Sequence, residues 1–371
     1  MHIGVPAEVK RAEHRVAITP AGVRELRLTG HEVLVQAGAG LGSSLADADY
    51  ARAGARIVDD ADTAWGDAEL VLKVKEPTPD EYRFFRRDLT LFTFLHLAAS
   101  KELTDALAES GCTAVAYETV RGPDGGLVLL APMSEIAGRM AAQVGAQLLA
   151  APAGGRGVLM GGVAGVIPAH VVVIGAGSAG SHAAAVATGM GADVSVLDVD
   201  VERLRDIDRW RHGRLRTLTS NRLTLEEQVA AADLVIGAVL VPGARAPVVL
   251  TEAMVESMPR HAGVIDISID QGGCVATSHV TTHDEPTFRA HGVVHYAVGN
   301  MPGAMPRTAT YALTNATLPY VQRLADHGVR PALLADEGFA EGVNVTEGAV
   351  TEAGVAQAHG HTHTPLRQAW A

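Results

Sequence analysis

The 371-residue chain sets 30 Lys and Arg against 42 Asp and Glu, for a formal charge of −12, and 47% of it is hydrophobic with few aromatics. That balance argues against a nucleic-acid surface, a disordered chain and a fibre. The length exceeds what one ordinary core fills, so two domains are expected, in closely packed α/β layers.

Cys112 and Cys274 are too few for a disulfide framework and lack metal-ligand spacing, so no metal site is expected. Glu8 and Lys10 interrupt any apolar leader, and the longest apolar region, 158–180, is broken by Gly, Pro and His. It reads as loop plus buried strand, not as a membrane span. A soluble cytoplasmic protein is therefore expected, with no nucleic-acid or membrane partner.

In chain order, "HIGVPAEV" (2–9) reads as a strand running into a polar loop. "TPAGVRELRLTG" (19–30) is a helix with a Thr-Pro start and a Gly stop. "HEVLVQAG", "ELVLKVK", "TLFTFLHL" and "TAVAYETV" follow as strands between helical or loop segments, a βαβ rhythm that predicts a parallel sheet covered by helices. Ser134 stands as a cap for a long connector helix with Ile136, Met140, Val144 and Leu148 on its apolar face. A second βαβ series begins near Val171, and beyond about residue 307 the pattern turns helical, with Pro319 as a kink or stop. The helix from Ala309 to His327 is expected to return to the first domain. The tail, including His359, His361 and His363, reads as a loosely held polar terminus. The fold class is α/β: two doubly wound (Rossmann-like) domains with parallel sheets flanked by helices, joined by long connector helices. The first domain is expected over 1–128 plus 308–371 and the second over 129–307.

The strongest local signal is "HVVVIGAGSAG", where Gly175, Gly177 and Gly180 stand in G-x-G-x-x-G register between an apolar strand and a helix. The first glycine permits the turn, the second lets a pyrophosphate approach the backbone, and the third lets helix and strand pack. Asp198, about twenty residues on at the end of the next strand, suits a ribose 2′-hydroxyl and repels a 2′-phosphate, so NAD is favoured over NADP; Arg203 blurs that preference. "QAGAGLGSS" (36–44) lacks the register and reads as a loop without nucleotide.

Other charged residues fall where a parallel sheet presents ligands, at strand C-termini. Lys75 ends its strand while Lys73 sits deeper, so Lys75 is the better candidate. Arg15 can fork onto a small carboxylate or form a surface ion pair. His96, alone in "TLFTFLHLAA" (90–99), reads in isolation as a satisfied neutral histidine in a core strand. Asp266 and Asp270 follow an apolar strand, and Asp270 is either a turn cap or a group facing the nicotinamide.

"GVPAEVKRAEHRVAITPAGV", "LLAPMSEIAGRMAAQVGA", "VVVIGAGSAG", "ADLVIGAVLVPG", "DISIDQGG" and "ATYALTNATLPY" together closely resemble the bacterial L-alanine dehydrogenases, from the N-terminus to about residue 330. The first and third are shared with the soluble part of nicotinamide nucleotide transhydrogenases, the alternative reading. The resemblance implies reversible oxidative deamination of L-alanine to pyruvate and ammonium with NAD reduction, in a homohexamer. It implies that Arg15 and Lys75 bind the carboxylate and polarise the keto oxygen, that His96 is the general acid/base, and that Asp270 assists proton transfer. It also places Ser134, Gly177, Ser178, Asp198, Arg203, Ser220, Val239 and Leu240 along the cofactor. Ile267 to Asp270 and Val298 to Met301, Asn300 included, border the nicotinamide. His279 stands where relatives often carry Arg. With that context His96 becomes the expected catalytic acid/base, a group that titrates near neutrality on a rigid strand.

Overall fold

The computed structural model describes residues 1–211, 214–241 and 245–371, and the chain divides into two compact units: Met1–Met133 with Met305–Ala371, and Ser134–Ala304. Each is an α/β unit built on a predominantly parallel sheet, the fold class that the alternating pattern predicts. Among the described residues no helix is long and apolar enough to cross a membrane.

In the first unit, β1 (His2–Val5) is followed by α1 (Pro20–Leu28). The Thr19 hydroxyl accepts from Gly22 N at 3.3 Å and caps the helix, and Pro20 sits in the first turn, where its missing N–H costs nothing. Then come β2 (Glu32–Gln36), β3 (Arg56–Val58), β4 (Leu70–Leu72), β5 (Thr90–Thr93) and β6 (Thr113–Ala116). β4 and β5 are buried along their whole length, as strands covered on both faces must be.

α2 (Ala131–Leu148) runs across the border between the units. In the second unit follow β7 (His170–Ile174), α3 (Ser178–Gly189), β8 (Asp193–Asp198), β9 (Arg216–Thr219) and β10 (Leu234–Gly237). β11 (Gly263–Asp266), β12 (Thr287–Ala290) and β13 (Val293–Tyr296) complete a seven-stranded sheet in the order β12-β13-β11-β10-β7-β8-β9. Pro242 and Gly243, at the end of the motif that starts at Ala232, lie outside the described residues. The chain then returns to the first unit through α4 (Pro306–His327), β14 (Val343–Thr346) and β15 (Ala349–Val350), and the eight strands there run β15-β14-β6-β5-β4-β1-β2-β3.

Several expectations need correcting. Neither sheet is purely parallel, because β12–β13 and β14–β15 are antiparallel hairpins and β14 is antiparallel to β6. Their two-residue links, His291–Gly292 and Glu347–Gly348, all have positive φ, the type I′ geometry that matches strand twist. α2 begins at Ala131, so Ser134 lies inside its first turn and does not cap it. α4 starts at Pro306 and continues through Pro319 without a break. The tail is docked. Val345, Val350, Val355 and Ala356 join the core around Trp65, Leu91 and Leu107, and Trp370 Nε1 donates to Thr346 Oγ1 at 2.9 Å. The tail histidines find separate partners: His359 Nε2 on Leu97 O (2.7 Å), His361 Nε2 on Asp105 (2.8 Å) and His363 Nε2 on Thr351 O (3.2 Å). Composition gave no sign of these long-range contacts.

In each sheet the winding reverses once: in the first unit β1 lies between β2 and β4, and in the second β7 lies between β8 and β10. The crevice outside the C-terminal ends of such a strand pair is where doubly wound sheets bind ligands.

Candidate active site

At the first reversal the loop after β1 meets the chain leaving β4. Glu8 accepts from Val74 N (2.6 Å) and from Lys73 Nζ (3.2 Å), and Lys73 also reaches Glu81 Oε1 at 2.9 Å. Lys73 is completely buried. Burial would lower its pKa, but the two carboxylates outweigh that and raise it, so it stays an ammonium. Burial likewise raises Glu8, against the pull of Lys73. The result is an internal ion cluster that fixes the backbone just before Lys75, whose N–H lies 3.4 Å from both Glu8 oxygens. Lys75 itself is half-buried and lies beyond the strand, which ends at Leu72, so its expected place at the strand end is shifted by a short turn.

His96 is not in the strand either. β5 stops at Thr93, and His96 takes a left-handed conformation (φ 50°, ψ 37°) with its side chain 41% exposed. That backbone costs a non-glycine residue about 1 kcal/mol and needs outside support. Glu118, just past β6, gives it: the carboxylate accepts from Leu95 N at 3.1 Å and from His96 N at 2.5 Å. These N–H groups are thereby withdrawn from any strand ladder, which is why the apolar run stops being a strand. The imidazole stacks on Phe94 (5.9 Å, 5° between planes), and its Nδ1 lies 3.9 Å from Glu118 Oε1. Neither reading from sequence, core strand nor rigid strand edge, anticipates this turn.

Glu76 ties Lys75 and His96 together. Burial would raise its pKa, but the charges of Lys75, then His96, and the contact with Lys10 bring it below the ordinary value. Its Oε2 is buried with no hydrogen-bond partner among the described residues. Arg15 is buried rather than on the surface. Its Nε donates to Glu13 Oε1 at 2.6 Å, a second nitrogen pairs with the other Glu13 oxygen, and Nη1 lies 3.1 Å from Met133 Sδ. The fork expected for a ligand is turned onto an internal carboxylate.

In the second unit the glycine turn follows β7. Gly175 has φ 104°, and a Cβ there would lie 2.4 Å from Ala238 O; one on Gly180 would lie 1.7 Å from Gly175 O. Those two positions therefore exclude side chains. Gly177 differs: its nearest neighbour would be Arg203 Nη1 at 3.9 Å, so the turn faces open space there, under a guanidinium. Gly177 precedes α3 without a side-chain cap, leaving the helix N–H groups available to an anion. Asp198, at the end of β8, accepts from Ala176 N (2.6 Å) and Asp200 N (2.8 Å), latching the turn. Ser134 precedes Gly138 by one helical turn. A Cβ on Gly138 would lie 2.0 Å from Ala179 O, so this face of α2 packs on the first turn of α3, beside Ser178.

The remaining positions share that edge. Ser220 follows β9 and donates its N–H to Asp198 O at 2.8 Å. Val239 and Leu240 follow β10, and the Ser268 hydroxyl donates to Val239 O at 2.7 Å, pinning this loop to Ile267–Asp270 after β11. Asp266 is buried, with its pKa raised by burial, and it caps that turn through Ser268 N at 3.1 Å. Asp270 is exposed and accepts from Asn300 N at 3.0 Å, beside Val298 and Met301 beyond β13. The His279 ring packs on Phe288 with centroids 3.8 Å apart.

Each unit thus gathers its expected residues at one sheet edge. Sequence reasoning missed Glu8, Glu13, Glu76, Glu81 and Glu118. One signal was available: a lysine inside a buried strand run, Lys73, requires carboxylates around it.

Family models described as "Alanine dehydrogenase/PNT, N-terminal domain" and "Alanine dehydrogenase/PNT, C-terminal domain" match residues 4–137 and 141–353. The chain belongs to the alanine dehydrogenase/PNT family. Within that family it is 57% identical to the alanine dehydrogenase of Mycolicibacterium smegmatis over 96% of both chains. It superimposes on a solved L-alanine dehydrogenase with a TM-score of 0.92 at 50% identity, covering 96% of this chain and 99% of that one. A transhydrogenase from Sinorhizobium meliloti gives 0.81 at 25% identity, covering 94% and 100%. Both branches of the alanine dehydrogenase/PNT family share this two-unit fold, and the similarity leans to the dehydrogenase branch.

Proposed function

We propose that the protein is an NAD-dependent L-alanine dehydrogenase. In the forward direction L-alanine, NAD⁺ and water give pyruvate, ammonium, NADH and a proton. The observation that carries the reading is Lys75 and His96 held at one sheet edge around Glu76, in a chain 57% identical to an alanine dehydrogenase.

The glycine turn fits a dinucleotide: Gly177 opens to space under Arg203, while Gly175 and Gly180 are closed by backbone. When bound, the nicotinamide supplies the acceptor for the hydride from the substrate Cα. Asp198 and Arg203 hold the ribose end, with NAD favoured over NADP. Ser134, Ser178, Ser220, Val239, Leu240, Ile267, Val298, Asn300 and Met301 complete the binding surface. In this reading the second unit binds the dinucleotide and the discontinuous first unit binds the amino acid.

Arg15 and Lys75 bind the substrate carboxylate, and their fixed positive charge stabilises developing negative charge on the keto oxygen. To do so Arg15 shares its guanidinium with Glu13. His96 moves the protons: it takes one from the substrate ammonium, which is the proton released to solvent. It then takes one from the attacking water and returns it to the departing amine, while the carbinolamine hydroxyl proton leaves with the ammonia as ammonium. Asp270, oriented by Asn300 N, assists that exchange. A homohexamer in the cytoplasm completes the proposal, and light scattering tests the assembly.

The deciding assay is NADH oxidation by purified protein with pyruvate and ammonium. Turnover that requires both supports the reading. NADH binding without turnover would overturn it in favour of a transhydrogenase component, which needs the nucleotide but no amino-acid chemistry.

A further inference from the structure

We propose that the second unit carries a phosphoryl-anion site at the sheet edge opposite the glycine turn. The residues are Arg156, Arg260, His261 and Arg289, around an open pocket of about 250 Å³ that Gly154 also lines. Arg260 and His261 lie three and two residues before the start of β11, and Asp233, which binds Arg156, immediately precedes β10. These are strand N-termini, whereas Gly175 follows the C-terminal end of β7 in the same parallel sheet. The dinucleotide fingerprint therefore does not account for the pocket.

Its chemistry is one-sided. Arg289 Nη2 donates to Gly154 O at 2.9 Å, and its Nη1 lies 3.1 Å from His261 Nδ1. His261 Nδ1 also lies 3.1 Å from Gly154 O, so the ring is held against both groups, and its Nε2 makes no hydrogen bond among the described residues. Arg260 forms no hydrogen bond or ion pair among the described residues. The carboxylates of the helix Glu252–Ser257 that leads to it contact His291 instead, Glu252 at 2.8 Å and Glu256 at 3.1 Å. Only Arg156 has a carboxylate, Asp233. The guanidinium groups of Arg260 and Arg289 have no carboxylate in contact among the described residues, and they line the pocket together, in a chain whose formal charge is −12. Like charges held together without counter-charge favour a dianion, and planar guanidinium forks match the oxygens of a phosphoryl group. Gly154, with φ 86°, lets the Arg289 guanidinium lie against the backbone: a Cβ there would sit 2.0 Å from Nη2. The ligand is a phosphate group, either free phosphate or the head of a phosphomonoester.

The test is calorimetric titration of the full-length protein at low ionic strength, where screening is weak. One arm uses inorganic phosphate and the other glycerol 3-phosphate, each with and without saturating NADH. Phosphate binding that persists with NADH present and weakens about tenfold or more in Arg260→Ala is expected, the loss typical of a charged hydrogen bond. Arg260→Glu should abolish it. Binding in the second arm as well identifies the phosphoryl group as what is read; binding of phosphate alone identifies the free ion. Arg260 is exposed, so both variants should fold, which circular dichroism checks. No binding in either arm, displacement by NADH, or equal affinity in wild type and Arg260→Ala overturns the proposal. Failure of NADH to bind at all would count against the dinucleotide reading instead, and the Arg260 comparison would still decide this one.

Discussion

The two units wind their sheets by the same rule and furnish the crevice at the reversal in opposite ways. In the first unit it is filled by side chains: Glu8 braces the strand exit, Lys73 is buried between two carboxylates, and Glu118 holds the turn of His96. In the second it is left bare, with glycines where side chains would collide and a helix N-terminus behind them. One crevice offers titratable groups; the other offers backbone donors and room. A shared topology therefore fixes where a ligand sits without fixing what is done to it.

If that contrast holds, substitutions in the first unit should reduce turnover and leave dinucleotide affinity alone, and those in the second should do the reverse. The largest effect is expected for His96→Ala, with kcat falling ~10²–10⁴-fold and NADH affinity nearly unchanged. Unaltered kcat in a folded variant would remove His96 from the chemistry. Next comes Asp198→Gly, which takes away both the ribose partner and the latch on Ala176 N. NAD affinity should fall ~10-fold and discrimination against NADP should shrink, as comparative titrations would show. A preserved NAD/NADP ratio would show that the carboxylate serves only the turn.

Glu118→Gln keeps an acceptor for the Leu95 and His96 N–H groups and loses the charge beside Nδ1. A loss in kcat of about tenfold is expected, with KM little changed and the pH–rate profile displaced; Glu118→Ala should cost more, because the turn itself loses support. Equal activity in both variants would mean that the turn needs no such brace. The smallest effect is on stability. Glu76 has a pKa held below its ordinary 4.5, so its charge stabilises the fold above that pH and the contribution is lost as pH falls through the folded-state value. Glu76→Gln should therefore be less stable at neutral pH, by ~1 kcal/mol or less, with the gap closing in acid. A gap that widened on acidification would reverse the sign.

How much was legible follows from the range of each signal. The glycine register and Asp198 lie within one strand–turn–helix–strand unit, so local spacing was enough. His96 and Lys75 were legible as residues at a sheet edge but not as geometry, because their backbone is set by Glu118 and Glu8, which the fold brings in from other strands. Arg15 was legible as a cation, while its burial against Glu13 depends on how the loop folds back. The docked tail was illegible for the same reason: its polar residues bind backbone carbonyls and side chains far away in sequence.

The order in which the chain is made treats the two units unequally. Residues 134–304 are contiguous, so that sheet has all its strands as soon as its own segment is out. The first unit pairs β6 with β14 and packs Val345 and Val355 into its core, so it must wait for residues beyond 342. During synthesis β6 is a bare sheet edge next to exposed apolar surface for more than two hundred residues, the interval in which a chaperone has most to protect.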